Sequence, residues 1–179
     1  MNLGVIDEEN YSEQGAPSFA QTKAKTNFVR FLSDFQNLNR QLKRKPYPMP
    51  KISEMLLNLE GFKYASSLDL NMGYYHIRIS KQASNLCIIT LPWRKYRYKQ
   101  VPVGVSNSPD IFQEKMNEML RGFGFIGAYI YDLLIIKKID WSDHLEKLEI
   151  TLQKIKYSGL KCNIEKLSFG QPEMEYLGF

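Results

Sequence analysis

Cysteine and histidine are scarce in this chain, with two of each among 179 residues. Cys87 and Cys162 are far apart and form no Cys-x-x-Cys or Cys/His pattern, so the sequence indicates neither a disulfide framework nor a zinc site. His76 and His144 are isolated and have no spacing typical of a catalytic triad or a metal site. We therefore expect reduced thiols and an intracellular protein, cytoplasmic or nuclear.

Long apolar runs are also absent, because no stretch reaches the length that spans a membrane. The first residues carry Asp7, Glu8, Glu9 and Glu13, where a signal peptide would have positive charge followed by an apolar run. We therefore expect a soluble chain without a membrane partner.

Positive charge is in mild excess, since 24 Lys and Arg residues against 19 Asp and Glu residues give a net charge of +5. Such a balance favours an anionic partner, although unrelated basic proteins reach it too. Two segments, Lys43–Lys51 and Arg94–Lys99, mix cations with aromatic residues, a pattern typical of surfaces that bind phosphates and stack on bases. Solvated faces show similar charge runs, so both interpretations remain.

The length suits one ordinary domain, and the order of elements predicts its class. Residues 1–22 have no hydrophobic period and are expected to be an irregular, disordered leader. Strand-like patterns at Tyr64–Leu70 and Tyr74–Ser80 precede a helix that Ser108 and Pro109 open. Strands and helices follow each other without a βαβ repeat, which predicts an α+β fold with an antiparallel sheet packed on helices.

The apolar run Ile126–Lys137 is rich in residues that favour strands and is interrupted in its middle by Tyr131 and Asp132. It is too short for a membrane span. We expect a buried β-hairpin.

Several segments, in this order, carry a family resemblance. They are Arg30–Asn39, Pro46–Pro50, Ser67–His76, Gly104–Gln113, Tyr129–Asp132, Gly159 and Leu160 with Lys166, and Glu175–Gly178. Together they resemble the motifs of Gypsy-type long-terminal-repeat retrotransposon reverse transcriptases, from the fingers motif to the beginning of the primer grip. The resemblance covers residues 23–179.

This resemblance implies a right-hand polymerase palm with part of the fingers, ending before the thumb and RNase H regions. The implied activity is RNA-directed DNA polymerisation, in which two Mg²⁺ ions assist transfer of a nucleotide from dNTP to a primer 3′-hydroxyl. The implied partners are an RNA or DNA template with its primer, dNTP, and other parts of a retrotransposon polyprotein.

The resemblance also assigns roles by position. Asp69 and Asp132 would be catalytic metal ligands, and Lys166 would protonate the leaving pyrophosphate. Arg30 would contact the triphosphate with help from Lys25, while Tyr74 would occupy the steric-gate position that excludes a ribose 2′-hydroxyl.

Tyr131 departs from the family pattern, because it replaces the first aspartate of the Tyr-x-Asp-Asp hairpin. A phenol, whose pKa is about 10, is a poor Mg²⁺ ligand at neutral pH. Asp132 is not expected to replace it, since successive side chains on a strand point to opposite faces. Gln36, in place of the usual arginine, and Arg94, where relatives favour glycine, are further departures. We therefore expect impaired catalysis. The alternatives are rescue by another ligand, a noncatalytic nucleic-acid-binding pseudoenzyme, or a functionless retrotransposon remnant.

Overall fold

The computed structural model describes residues 4–22, 29–57, 61–137, 140–174 and 176–177. Lys25 lies outside these ranges. The chain forms two compact units, each built from two chain segments: residues 1–45 with 74–108, and residues 46–73 with 109–179. They are called here the first and the second unit.

The strands within the described ranges are β1 (Ile6–Glu9), β2 (Ala16–Thr22), β3 (Val29–Ser33), β4 (Tyr64–Asp69), β5 (Ile88–Thr90), β6 (Lys95–Tyr98), β7 (Ile126–Tyr129), β8 (Asp132–Lys137) and β9 (Ser168–Gln171). The α-helices are α1 (Gln36–Gln41), α2 (Ile52–Leu57), α3 (Lys81–Leu86), α4 (Ser108–Met119) and α5 (Trp141–Tyr157). Short 3-10 helices span Gly73–His76 and Ile164–Lys166. No helix in the described part of the chain is both long enough and apolar enough to cross a membrane.

The first unit contains a five-stranded sheet in the order β1-β6-β5-β2-β3. Its strands are antiparallel except for the parallel pair β2 and β5. Phe35, Cys87, Ile89 and Tyr98 form its buried core. The ring of Tyr98 meets Phe35 edge-on at 6.1 Å and stacks on Tyr75 at 6.2 Å between centroids.

The prediction of an irregular leader over residues 1–22 is wrong, because β1 and β2 lie there. β1 pairs with β6 in register. The carboxylates of β1 form ion pairs with Arg97 on β6 and with Arg94 and Lys99, which flank that strand. Ile6 packs against the core of the first unit. An acidic strand that is held by distant cations has little apolar period of its own, so the sequence pattern did not reveal it.

The strand predicted at Tyr74–Ser80 is also not observed. A 3-10 helix spans Gly73–His76, and the backbone N–H of Ile77 donates to the carbonyl of Tyr74 at 3.1 Å. Beyond this turn only an isolated bridge links Arg78 to Gln100 among the described residues. The alternation of aromatic and polar residues in this segment is typical of a strand. Its backbone instead forms a turn that the hydrogen bond from Ile77 to Tyr74 closes.

The second unit contains an antiparallel sheet in the order β7-β8-β4-β9. Leu133, Leu134 and Ile135 of β8 are buried at its centre, together with Leu68 of β4. Helix α5 packs on β8 and β4 through a face that includes Leu148 and Ile155. The predicted α+β class, with an antiparallel sheet packed on helices, is confirmed, and so is the buried hairpin.

Candidate active site

Two carboxylates lie side by side at the end of the second unit's sheet. Asp69, the last residue of β4, pairs in register with Asp132, the first residue of β8. Directly opposed residues of an antiparallel pair project from the same face of the sheet, with Cβ atoms about 4.5–5.5 Å apart. Tyr129, the last residue of β7, pairs with Asp132 on the other edge of β8, so its side chain lies on the same face of the sheet as the two carboxylates. The fold therefore brings together the two aspartates that the sequence assigned to catalysis.

The hairpin between β7 and β8 turns through only Ile130 and Tyr131. Ile130 has a φ of 51°, a left-handed conformation that is uncommon for a β-branched residue. Two hydrogen bonds with the fully buried side-chain amide of Gln113 support the turn. Ile130 N donates to Oε1 of Gln113 at 2.7 Å, and Nε2 of Gln113 donates to the carbonyl of Ala128 at 3.0 Å. Sequence reasoning quoted Gln113 within a motif but missed this role.

Tyr131 lies in the turn rather than within the strand, and its side chain packs on an aromatic ring. The centroids of Tyr131 and Phe112 are 5.2 Å apart, with the ring planes tilted by 46°. A Cβ added to Gly73 would lie 2.5 Å from Cζ of Phe112 and 2.9 Å from Cδ1 of Tyr131. The two rings therefore occupy the space beside Gly73, and the phenol is partly buried.

Lys166 reaches the site from the 3-10 helix Ile164–Lys166. Its Nζ lies 2.6 Å from Oδ2 of Asp69, and the lysine side chain is 55% exposed against 17% for the aspartate. The backbone keeps this segment beside the end of β4, because Asn163 N donates to the carbonyl of Asp69 at 2.8 Å. The sequence named both residues, but it contained no sign of their ion pair.

Burial and charge perturb the second carboxylate. Burial raises the pKa of Asp132 and the nearby Asp69 raises it further, while Lys166 opposes both effects. The hydroxyl of Tyr176 donates to the backbone carbonyl of Asp132 at 3.2 Å. Burial and then Asp132 raise the pKa of Tyr176, so this phenol remains a protonated donor at neutral pH.

These side chains fit a pair of metal ions poorly. No group of three or more His, Cys, Asp or Glu side chains that could hold a metal exists within the described ranges. Asp69 and Asp132 are two carboxylates, one of them already paired with an ammonium group. The third position of the family pattern carries the phenol of Tyr131, which is neutral at pH 7.

A comparison with known protein families shows to which family the chain belongs. The family model described as reverse transcriptase (RNA-dependent DNA polymerase) matches residues 21–179. The chain belongs to this family.

Related polyproteins confirm the Gypsy-type resemblance of this reverse transcriptase chain. It is 32% identical over 177 residues to the Pol polyprotein of transposon gypsy of Drosophila melanogaster, covering 98% of this chain and 16% of that protein. It is 29% identical over 180 residues to the enzymatic polyprotein of Cestrum yellow leaf curling virus, covering 98% of this chain and 28% of the relative. The chain thus spans less than a third of the length of either relative.

Solved structures confirm the fold. A foamy viral protease-reverse transcriptase in complex with double-stranded DNA matches with a TM-score of 0.90 and 23% identity, covering 98% of this chain and 31% of that chain. A prototype foamy virus protease-reverse transcriptase matches with a TM-score of 0.88 and 24% identity, covering 98% of this chain and 23% of that one. The reverse transcriptase architecture expected here, a palm with part of the fingers, is therefore observed.

Two further residues that the sequence assigned to this reverse transcriptase site, and two that depart from the family pattern, lie in the described part of the first unit. Arg30 is exposed on β3 and pairs in register with Gln21 of β2. Tyr74 is buried in the 3-10 helix that begins at Gly73. Gln36 opens α1, and its backbone N–H donates to Oδ1 of Asp34 at 3.0 Å. Arg94 forms an ion pair with Glu8.

Proposed function

We propose that this chain is a reverse transcriptase domain that binds primer and template but is strongly impaired in nucleotidyl transfer from dNTP to a primer 3′-hydroxyl. The observation that carries the proposal is Tyr131. Its phenol stands where the family has a carboxylate, and it packs on Phe112 beside Gly73.

The chemistry of the family requires negative ligands at this place. When bound, a pair of Mg²⁺ ions activates the attacking hydroxyl and neutralises the triphosphate. Asp69 and Asp132 supply only two carboxylates, and Lys166 competes for Asp69 from 2.6 Å. Tyr131 offers a neutral oxygen that is neither a good Mg²⁺ ligand nor a proton acceptor at pH 7. This donor set does not fit two ions.

The other roles remain proposals by position. Arg30 and Lys25 would bind triphosphate oxygens, for which cationic side chains are suited. Tyr74 would exclude a ribose 2′-hydroxyl, and the ammonium of Lys166 would supply a proton to the leaving pyrophosphate. In the structure this ammonium is held by Asp69.

Binding of nucleic acid is supported by charge and by structural likeness. The net charge of +5 favours an anionic partner. Foamy viral reverse transcriptases of the same fold were solved in complex with double-stranded DNA and with an RNA/DNA hybrid. We propose that this chain binds a primer-template duplex and acts as part of a longer polyprotein, as the matched relatives are polyproteins.

Primer extension tests the catalytic part of the proposal. The wild-type chain and Tyr131→Asp are assayed with Mg²⁺ and, separately, with Mn²⁺ on an RNA template with a DNA primer. We expect no extension by the wild type and measurable extension by Tyr131→Asp. The double variant Tyr131→Asp/Asp69→Asn is the matched control and should be inactive. Extension by the wild-type chain would refute impairment.

A binding titration tests the other part. Anisotropy of a labelled primer-template should rise with protein concentration, and the affinity should fall as salt increases, because phosphate contacts release counterions. If neither extension nor salt-dependent binding is seen for the wild type, the chain is a remnant without these functions and the proposal is wrong.

A further inference from the structure

A cavity of about 440 Å³ opens on the first unit, beside β6 and α3. Its volume lies within the roughly 300–1,000 Å³ typical of small-molecule sites. Its lining is unusually basic for such a site. The cations are Arg78, Lys81, Arg97 and Lys99, and the other lining residues used below are Asp7 and Ser84.

Two of the cations are held in place by the sheet. Arg97 lies on β6 and Lys99 follows the end of that strand, and both reach carboxylates of the neighbouring strand β1. Nη1 of Arg97 lies 3.3 Å from Oε2 of Glu9 and donates to Oδ1 of Asn85 at 3.0 Å. Nζ of Lys99 lies 2.9 Å from Oδ1 of Asp7. Arg97 is therefore oriented before any ligand arrives, which reduces the entropy lost on binding, whereas the ammonium of Lys99 is held by the carboxylate of Asp7.

The other two cations are exposed and have no ion-pair partner in the described part of the chain. Arg78 lies opposite Gln100 in an isolated bridge. Lys81 is the first residue of α3, whose N-cap is Ser80. The hydroxyl of Ser84 donates to the carbonyl of Tyr98, which fixes α3 against β6 at the cavity wall. Arg78 and Lys81 thus place two uncompensated positive charges beside two that already form ion pairs.

Charge and shape select the ligand class. The lining carries four cations and the single carboxylate of Asp7. A guanidinium group binds phosphate oxygens in a bidentate manner, and ammonium groups neutralise the remaining charge. We propose that this cavity binds consecutive phosphate groups, supplied either by a free polyphosphate or nucleotide or by the backbone of a nucleic acid strand. The proposal does not rest on the proposed function, because every lining residue belongs to the first unit and none to the hairpin site.

Isothermal titration of the full chain with sodium tripolyphosphate, and separately with a single-stranded oligodeoxynucleotide, tests the site. Arg78→Gln and Lys81→Gln should each weaken tripolyphosphate binding about tenfold, as expected for loss of one charge-assisted hydrogen bond. Lys63→Gln and Arg121→Gln are the matched controls, since they remove one exposed cation each from the second unit. They should leave the affinity within about twofold, because neither residue lines the cavity.

Asp7→Asn gives a test of opposite sign. Without its carboxylate, Lys99 is released to the ligand, so tripolyphosphate should bind several-fold more tightly, whereas the exposed Glu146→Gln on α5 should have no effect. Thermal unfolding verifies that each variant is folded, and if Asp7→Asn fails to fold, the Arg78 and Lys81 variants decide.

The two probes distinguish the sources of phosphate. If tripolyphosphate and the oligonucleotide compete, the cavity binds phosphates from both sources. If only the oligonucleotide binds, and its binding depends on Arg78 and Lys81, the ligand is the backbone of a nucleic acid strand. Equal losses in the cavity and control variants, or no binding of either probe, would overturn the proposal.

Discussion

Asp69 and Asp132 face each other across two antiparallel strands, and their carboxylates project from the same side of the sheet. The arrangement places two like charges close together, while only one of them is paired with Lys166. The ionised form of Asp132 is destabilised, because burial and then the charge of Asp69 raise its pKa.

Asp132→Asn should therefore stabilise the protein at neutral pH. The folded-state pKa of Asp132 lies above its ordinary value of 3.8, so the folded protein retains this proton to higher pH than the unfolded chain. Stability falls as pH rises through that window and stays lower above it. Urea unfolding at pH 7 should show the variant as more stable than the wild type. The difference should disappear near pH 3, where both states of the wild type are protonated, and a gain that persists there would contradict this cause.

Gln113→Ala should destabilise the second unit by roughly 2–4 kcal/mol, because two buried backbone groups of the hairpin lose their partner. These are the N–H of Ile130 and the carbonyl of Ala128. The matched control is Gln153→Ala on the exposed face of α5, where the side chain bonds to Glu149. It should change the free energy of unfolding by less than about 0.5 kcal/mol. Equal effects of the two variants in urea unfolding would mean that Gln113 does not support the turn.

Gly73→Ala should cost about 1–3 kcal/mol, the usual range for an overpacked site. The new methyl group would lie 2.5 Å from Cζ of Phe112, with the ring of Tyr131 close by. Gly124→Ala is the control, since a Cβ there has nothing within 4 Å. In thermal unfolding, the double variant Gly73→Ala/Phe112→Leu should lose less stability than the sum of the two single variants, because the smaller leucine makes room for the methyl group. Strictly additive losses would argue against the clash.

Mg²⁺ should not stabilise the wild-type chain but should stabilise Tyr131→Asp. At about 10 mM Mg²⁺ and a dissociation constant of about 1 mM, linkage gives roughly 1.4 kcal/mol. Differential scanning calorimetry with and without Mg²⁺ measures the gain. It should vanish in Tyr131→Asp/Asp69→Asn, and an equal gain in the wild type would show that two carboxylates suffice to hold an ion.

The sequence could predict the elements whose residues carry their own pattern. The hairpin of β7 and β8 and the helix that begins at Ser108 have strong apolar periods, and both are observed. β1 escaped prediction because its pairing depends on β6, whose residues lie roughly ninety positions later in the chain. Acidic side chains satisfied by distant cations look in sequence like any polar segment.

The candidate site also has parts that the sequence could predict and parts that it could not. Family motifs located Asp69, Asp132 and Lys166, but the ion pair of Lys166 with Asp69 joins residues 97 positions apart. The support of Ile130 by Gln113 joins two elements whose packing no local pattern specifies. The expectation that Tyr131 and Asp132 are successive residues of one strand is corrected by the hairpin register, because Tyr131 lies in the turn and Asp132 is the residue opposite Asp69.

The ion pair of Lys166 with Asp69 also changes what an approaching polyanion encounters at this sheet. With both aspartates ionised, the cluster of Asp69, Asp132 and Lys166 carries a net charge of −1 rather than −2, and the compensating charge is covalently part of the chain. A phosphate backbone can therefore come near with less repulsion and without recruiting a divalent counterion from solution. The duplex binding proposed for this domain is thus expected to survive chelation by EDTA.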